Sequence, residues 1–319
     1  MNRLPSDAVP TERGSPNVGI VLIALAAVFW SLNGALIKVI NAKGQGPDGF
    51  TIAFYRSLVA GLFLFPLARG KWRSLLPDVA RSKRGFQTFI PRPAATWCMV
   101  FFTLMTVFFV VANTMTEAAN VIILQYTSTF WVFGLSPMIL KEKPRSSDLW
   151  ILALAFSGIV IIFAGDAKAD IAGLVIALAS GLFYALLTMM IRRLRDADSA
   201  AVTVLNNLGS AALLLPVVLI AGDLMVGARS FLFLLLMGVV QFGIPYYLYT
   251  LGLVRVPAYQ AALITMLEPV LVPIWAYLVV GEQVSRMTMY GGGVILTALL
   301  LFVNAARRAR EAAMMDPIA

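Results

Sequence analysis

The chain of 319 residues is 60% apolar and only 13% charged, with a mean hydropathy of +0.85. Soluble domains are about 45–50% apolar and about 25% charged, so the composition excludes an ordinary soluble enzyme and makes lipid the main solvent. A net charge of +9 would point to nucleic acid in a soluble protein, but here Lys and Arg collect between apolar runs, which is the mark of membrane topology and implies no nucleic-acid partner.

In chain order, residues 1–17 are polar and carry Pro5, Pro10 and Pro16, which predicts a disordered cytoplasmic tail. Ten apolar runs follow, each about the 17–25 residues that a membrane helix needs. Runs 1 to 5 are Val18–Val39, Asp48–Ala68, Ala94–Thr116, Ala118–Leu140 and Ser147–Ala164. Runs 6 to 10 are Asp170–Ile191, Ser199–Ala221, Ser230–Gly252, Ala258–Val280 and Met287–Asn304. Only Glu117 separates run 3 from run 4. Residues 305–319 read as a second cytoplasmic tail. The fold class expected is an all-α integral membrane protein with ten transmembrane helices.

The basic residues give the orientation. Nineteen of the 25 Lys and Arg residues fall on the side of the two termini and five on the other, while Arg56 lies inside run 2. The positive-inside rule puts both termini in the cytoplasm. The basic segment Arg69–Arg92 reads as a solvated loop that fixes this topology, with lipid headgroups or a partner as the alternative.

The two halves of the chain resemble each other. Gly19-Ile20-Val21-Leu22 lines up with Gly173-Leu174-Val175-Ile176 at an offset of 154, Phe29-Trp30-Ser31 with Phe183-Tyr184-Ala185, and Lys38 with Arg192. Leu140-Lys141-Glu142 lines up with Val280-Gly281-Glu282 at an offset of 140. The organisation expected is a first five-helix repeat over 18–164 and a second over 170–304. Five is odd, so the second copy enters the membrane from the opposite face. Inverted repeats of this kind belong to secondary transporters, whose substrate site lies near the midplane between the copies.

Several motifs then carry a resemblance. Phe29-Trp30-Ser31-Leu32-Asn33-Gly34 with Lys38, Phe54-Tyr55-Arg56, Leu267-Glu268-Pro269 and Val279-Val280-Gly281-Glu282 occur in that order. Together they resemble the ten-helix, EamA-type exporters of the drug/metabolite transporter superfamily, over Val18 to Asn304. The resemblance implies export of amino acids, other metabolites or toxic compounds, and within the family the chain is most similar to bacterial exporters of aromatic amino acids. It also implies the bacterial inner membrane as the location. The halves differ at one place, where Ser128-Thr129 stands opposite Glu268-Pro269.

Polar residues inside the runs are the candidates for a substrate pathway. A charge at the centre of a membrane helix costs about 2.5–3.5 kcal/mol on insertion scales. Arg56 and Glu268 therefore need a reason, either as contacts to a zwitterion or as structural and coupling groups. Pro269 predicts a local break beside Glu268. Trp30, Asn33, Gly34 and Lys38 share one helical face of run 1, and Gln260, Ile264 and Glu268 one face of run 9. At the offset of 140 the latter match Asn120, Leu124 and Ser128 in run 4. Tyr184 is the repeat partner of Trp30, and run 8 adds Gln241, Pro245, Tyr246 and Tyr249.

Rival classes remain. An intramembrane enzyme is disfavoured, because the chain has no histidine and one cysteine, Cys98, and no glycine-rich phosphate loop. An uncoupled facilitator or channel, or an exporter of drugs or other metabolites, stays open. The partners expected are a small-molecule substrate and the bilayer, in a monomer or homodimer; no cofactor and no metal is called for.

Overall fold

The computed structural model describes residues 15–41, 46–76, 92–115, 118–163, 171–281 and 286–315. These are helical with short connections, and no strand occurs among them. Helix lies over every one of the ten apolar runs. Six helices are long and apolar enough to cross a membrane, namely Gly49–Ala68, Pro93–Ala112, Ile171–Arg193, Ser199–Ala221, Ala228–Leu253 and Ala258–Val279. Shorter apolar helices cover Pro16–Ser31, Ser146–Ile161 and Met289–Ala305.

The helices begin and end where local chemistry dictates. Pro16 opens run 1, where its missing N–H is one that the first turn leaves unbonded anyway. Asp48 caps run 2 by accepting from Thr51 N, and Asp198 caps run 7 by accepting from Ala200 N and Ala201 N. In run 10 the helix continues from Arg286 to Met315, well past the expected end at Asn304, so much of the expected tail is helix. Residues 1–14 and 316–319 lie outside the described ones.

Three runs are not continuous α-helices. Run 1 divides into Pro16–Ser31 and Asn33–Asn41, run 4 into Ala118–Tyr126 and Ser128–Ile139, and run 9 into Ala258–Thr265 and Glu268–Val280. Run 8 keeps its helix but passes through a π-helical stretch at Met237–Gly243. Lipid offers no hydrogen bonds, so interruptions of a membrane helix persist only where protein or a polar cavity satisfies the freed backbone groups.

The packing brings distant runs together. Run 3 lies along run 6, run 1 along run 8, run 2 along run 7, and run 5 along run 10. The broken runs 4 and 9 touch each other, and they also pack on runs 6 and 1 respectively. The main core gathers Ile23, Ala26, Trp30, Phe102, Leu187, Tyr249 and Leu263 from these contacts. The basic segment after run 2 is not wholly solvated: a short 3₁₀ turn at Trp72–Leu75 buries Leu75 completely and sets Trp72 5.9 Å from Phe65. Residues 77–91 of that segment lie outside the described ones.

Candidate substrate cavity

The interruptions converge on one cavity. It measures about 80 Å³ and is lined by Trp30, Asn33, Arg56, Met105, Thr106, Phe109 and Gln125 from the first half. The second half contributes Tyr184, Gln241, Phe242, Tyr246 and Glu268. Small-molecule pockets are about 300–1,000 Å³. As the helices stand, the cavity holds water or a very small solute, and a larger one requires movement.

Arg56 occupies one wall. Its Nη1 donates to Asn33 Oδ1 at 2.9 Å and Gln241 Oε1 at 3.3 Å, and its guanidinium lies 4.5 Å from the centre of the Phe242 ring. Its Nε has no partner, and among the described residues no carboxylate forms a salt bridge with it. A buried cation held only by amide oxygens and a ring face keeps unspent capacity for an anion. The π-helical stretch delivers Gln241 to this place. It lies so close to run 2 that a Cβ on Gly238 would sit 2.5 Å from Val59 Cβ and 3.3 Å from the Arg56 carbonyl. Only glycine permits that approach.

Glu268 lines the same cavity from the first turn of Glu268–Val280, directly after the turn at Met266–Leu267. The matching break in run 4 falls at Thr127, whose hydroxyl donates back to the Leu124 carbonyl. Run 6 presses against this break at Gly181, where a Cβ would stand 2.7 Å from the Leu124 oxygen and 3.1 Å from that of Gln125.

Aromatic rings form the remaining wall. Trp30 stands 4.8 Å from Tyr246, 5.1 Å from Tyr249 and 6.4 Å from Tyr184, all tilted or edge-on, as ring quadrupoles prefer. The indole Nε1 is buried without a partner. Tyr249 shares a 2.8 Å hydrogen bond with Thr188 Oγ1.

Of the residues expected from the sequence, the cavity gathers Trp30, Asn33, Arg56, Tyr184, Gln241, Tyr246 and Glu268. Tyr249 backs the wall behind Trp30 but does not line it. Ser128, Gln260 and Pro269 are buried away from it, and Gln260 Nε2 reaches Tyr259 Oη at 3.5 Å. The side chains of Lys38 and Asn120 lie outside the described ones. The physical reason for these displacements is the breaks. A straight helix puts Asn120 and Ser128 on one face, and Gln260 with Glu268. Interrupting runs 4 and 9 between the members of each pair changes the phase, so Gln125 enters the cavity and Ser128 leaves it. Met105, Thr106 and Phe109 of run 3 carry no polar pattern that could have singled them out. Among the described residues no group of three His, Cys, Asp or Glu side chains could hold a metal ion.

Comparison with known proteins fits this architecture. Residues 17–164 and, separately, 171–304 match the EamA-like transporter family. A protein of Archaeoglobus fulgidus named only as an uncharacterized transporter is 26% identical over 284 residues, covering 89% of this chain and 95% of that protein. The uncharacterized transporter YwfM of Bacillus subtilis is 23% identical over 310 residues, covering 93% and 97%. One protein of known crystal structure shares the fold with a TM-score of 0.76 at 16% identity, covering 92% of this chain and 99% of its own. The chain is a multi-pass membrane protein that belongs to the EamA-like transporter family, within the drug/metabolite transporter superfamily.

Proposed function

We propose that this protein is a secondary exporter of small zwitterionic metabolites, foremost amino acids and among them aromatic ones. It works by alternating access, with the central cavity as the substrate site between two inverted five-helix halves of ten membrane helices. The observation that carries the reading is that Arg56 and Glu268, one from each half, face a single polar cavity without being paired to each other. A carboxylate suits the guanidinium and an ammonium suits the carboxylate. Trp30, Tyr184 and Tyr246 add ring faces and edges for a flat side chain.

The inverted arrangement has its own support. The breaks in runs 4 and 9 come at Thr127 and Leu267, which are 140 residues apart. Exchanging the two halves exchanges the packing of run 3 on run 6 with that of run 8 on run 1. The match of one family to both halves agrees. The small volume of the cavity suits a closed state of a protein that exposes its site to one side at a time. The setting is the bacterial inner membrane, with both termini cytoplasmic as the basic residues require.

The test is uptake by the purified protein in liposomes, with a panel of amino acids, amines and sugars, with and without a pH gradient. Zwitterionic amino acids should be transported, and Arg56→Gln and Glu268→Gln should each lower that transport at least tenfold in folded protein. Transport of sugars or amines that ignores both substitutions overturns the zwitterion reading. Transport that needs no gradient and saturates at no concentration overturns alternating access in favour of a channel. Cysteines placed near Arg13 and Arg310 should resist membrane-impermeant labelling from outside, and strong labelling would reverse the topology.

A further inference from the structure

Away from the cavity, one ion pair is buried among the described residues. Arg192, at the end of run 6, has a side chain only 4% exposed, and its Nε donates to Glu142 Oε1 at 2.6 Å; the Glu142 side chain is 14% exposed. The pair does more than neutralise itself. Arg192 Nη1 donates to the carbonyls of Leu253 at 2.7 Å and Val254 at 3.0 Å, where run 8 ends. Glu142 Oε2 accepts from Ala258 N at 2.9 Å, where run 9 begins. The cation thus meets the free carbonyls of one helix end, and the anion meets a free N–H of the next helix start. Pro257, which precedes that start, has no N–H of its own to offer.

The contacts join four chain positions. Glu142 follows run 4 in the first half, while Arg192, Leu253–Val254 and Ala258 belong to runs 6, 8 and 9 of the second. Two of the four, runs 4 and 9, are the broken ones that reach the cavity. Opening the bundle at this end has to part runs 4 and 9, and that separates Glu142 from Ala258 N. The other ties at this end do not cross these runs: Lys71 pairs with Asp198 at 3.3 Å and Arg92 with Asp196 at 2.6 Å, joining the run 2–run 3 connection to the start of run 7. A buried pair of this kind suits a latch, because its members are stable when paired and costly to leave buried alone.

We infer that Glu142 and Arg192 are the gating pair of this end of the protein, holding runs 4 and 9 together when the cavity is shut from that side and separating in each transport cycle. The inference rests on the alternating-access reading, and its test includes a readout that needs no substrate. In full-length protein, Lys143→Cys and Arg255→Cys place two thiols beside the latch without touching it. The native Cys98 is buried, with Asn206 Nδ2 donating to its Sγ, so reagents go to the new pair.

Spin labels on these thiols should report one short distance in the native background and a longer population after Glu142→Gln. Arg192→Gln should shift the distance in the same direction and serves if the first variant folds poorly. A short bifunctional thiol reagent across the same pair should stop transport in liposomes, and cleaving it should restore the rate. Unchanged distances in both variants overturn the gate, as does full transport by cross-linked protein. If the native protein moves no solute at all, the transport reading fails, while the spin-label distances still decide whether the pair holds this end shut.

Discussion

Runs 2 and 7 contrast with runs 4 and 9. The first pair consists of unbroken helices, Gly49–Ala68 and Ser199–Ala221, packed along each other. It is tied at both ends: Thr51 Oγ1 donates to the Asp223 carbonyl and Asp223 N to Asp48 at one, and Asp198 meets Lys71 and Ser74 at the other. The second pair is interrupted at Thr127 and at Met266–Leu267, and both interruptions lie beside the cavity or next to a residue that lines it. Both pairs have similarly apolar sequences. What separates them is where their polar groups go. In runs 2 and 7 the ends spend them on fixed capping bonds. In runs 4 and 9 they surround a space. A bundle built this way has a stiff axis and two hinged walls.

Substitutions can break or sharpen that contrast. The largest effect belongs to Trp30→Ala. The ring is 5% exposed and touches three tyrosines, so truncation should cost about 3–5 kcal/mol and lower the melting temperature in detergent. Trp30→Phe keeps a ring against Tyr246 and removes only the unpartnered N–H. Near-native melting with altered substrate preference in liposomes would mark the indole N–H as a substrate contact, and unchanged preference would make the ring wholly a packing element.

Gly181→Ala comes next. A methyl group 2.7 Å from the Leu124 oxygen forces run 6 off the break in run 4, at about 1–3 kcal/mol. Transport should fall by more than the loss of folded protein accounts for. A fall in melting temperature with normal transport per folded molecule would mean that the break does not need to keep its shape.

Asp198→Ala addresses the stiff pair. It removes a cap that accepts from two amide N–H groups and should cost about 1 kcal/mol. Melting should drop while transport per folded molecule stays constant. A selective loss of transport would mean that runs 2 and 7 move after all.

The smallest effect is at Asp48. Burial alone would raise its carboxyl, but the hydrogen bonds from the Thr51 hydroxyl and from backbone N–H groups outweigh this and hold it below the ordinary 3.8. Its contribution to stability is therefore complete above the ordinary value and is lost as pH falls through the lower folded one. Melting curves of the native protein and Asp48→Asn should converge in that acid range and separate above it.

Much of the fold was legible in the sequence, because membrane helices are written in uninterrupted apolar runs. Runs 7 and 9 have the bounds read from hydropathy alone, Ser199–Ala221 and Ala258–Val280. The cavity was legible where polarity is expensive, at Arg56, Glu268 and Gln241, and where the repeat duplicates a ring, at Trp30 and Tyr184. It was not legible where backbone geometry decides. Glu268-Pro269 hinted at one break, but Thr127 carries no proline to announce the other. Gln125, Ser128 and Gln260 were sorted by a straight-helix phase that the interruptions cancel. The continuation of run 10 to Met315 was hidden for a different reason: Arg307, Arg308 and Arg310 end the apolar run without ending the helix.

The π-helical stretch at Met237–Gly243 amounts to one surplus residue in run 8. An α-helix turns about 100° per residue, so removing that residue would rotate everything beyond it by about that angle. Tyr246 and Tyr249 would leave Trp30 and face a different neighbour, with no change in their identity. Single-residue length differences at this place, among relatives whose flanking residues align, would therefore sort them by the shape of the site. They would do so more sharply than substitutions at the lining positions themselves, and a one-residue deletion there is the smallest edit that repoints the site while leaving the helix intact.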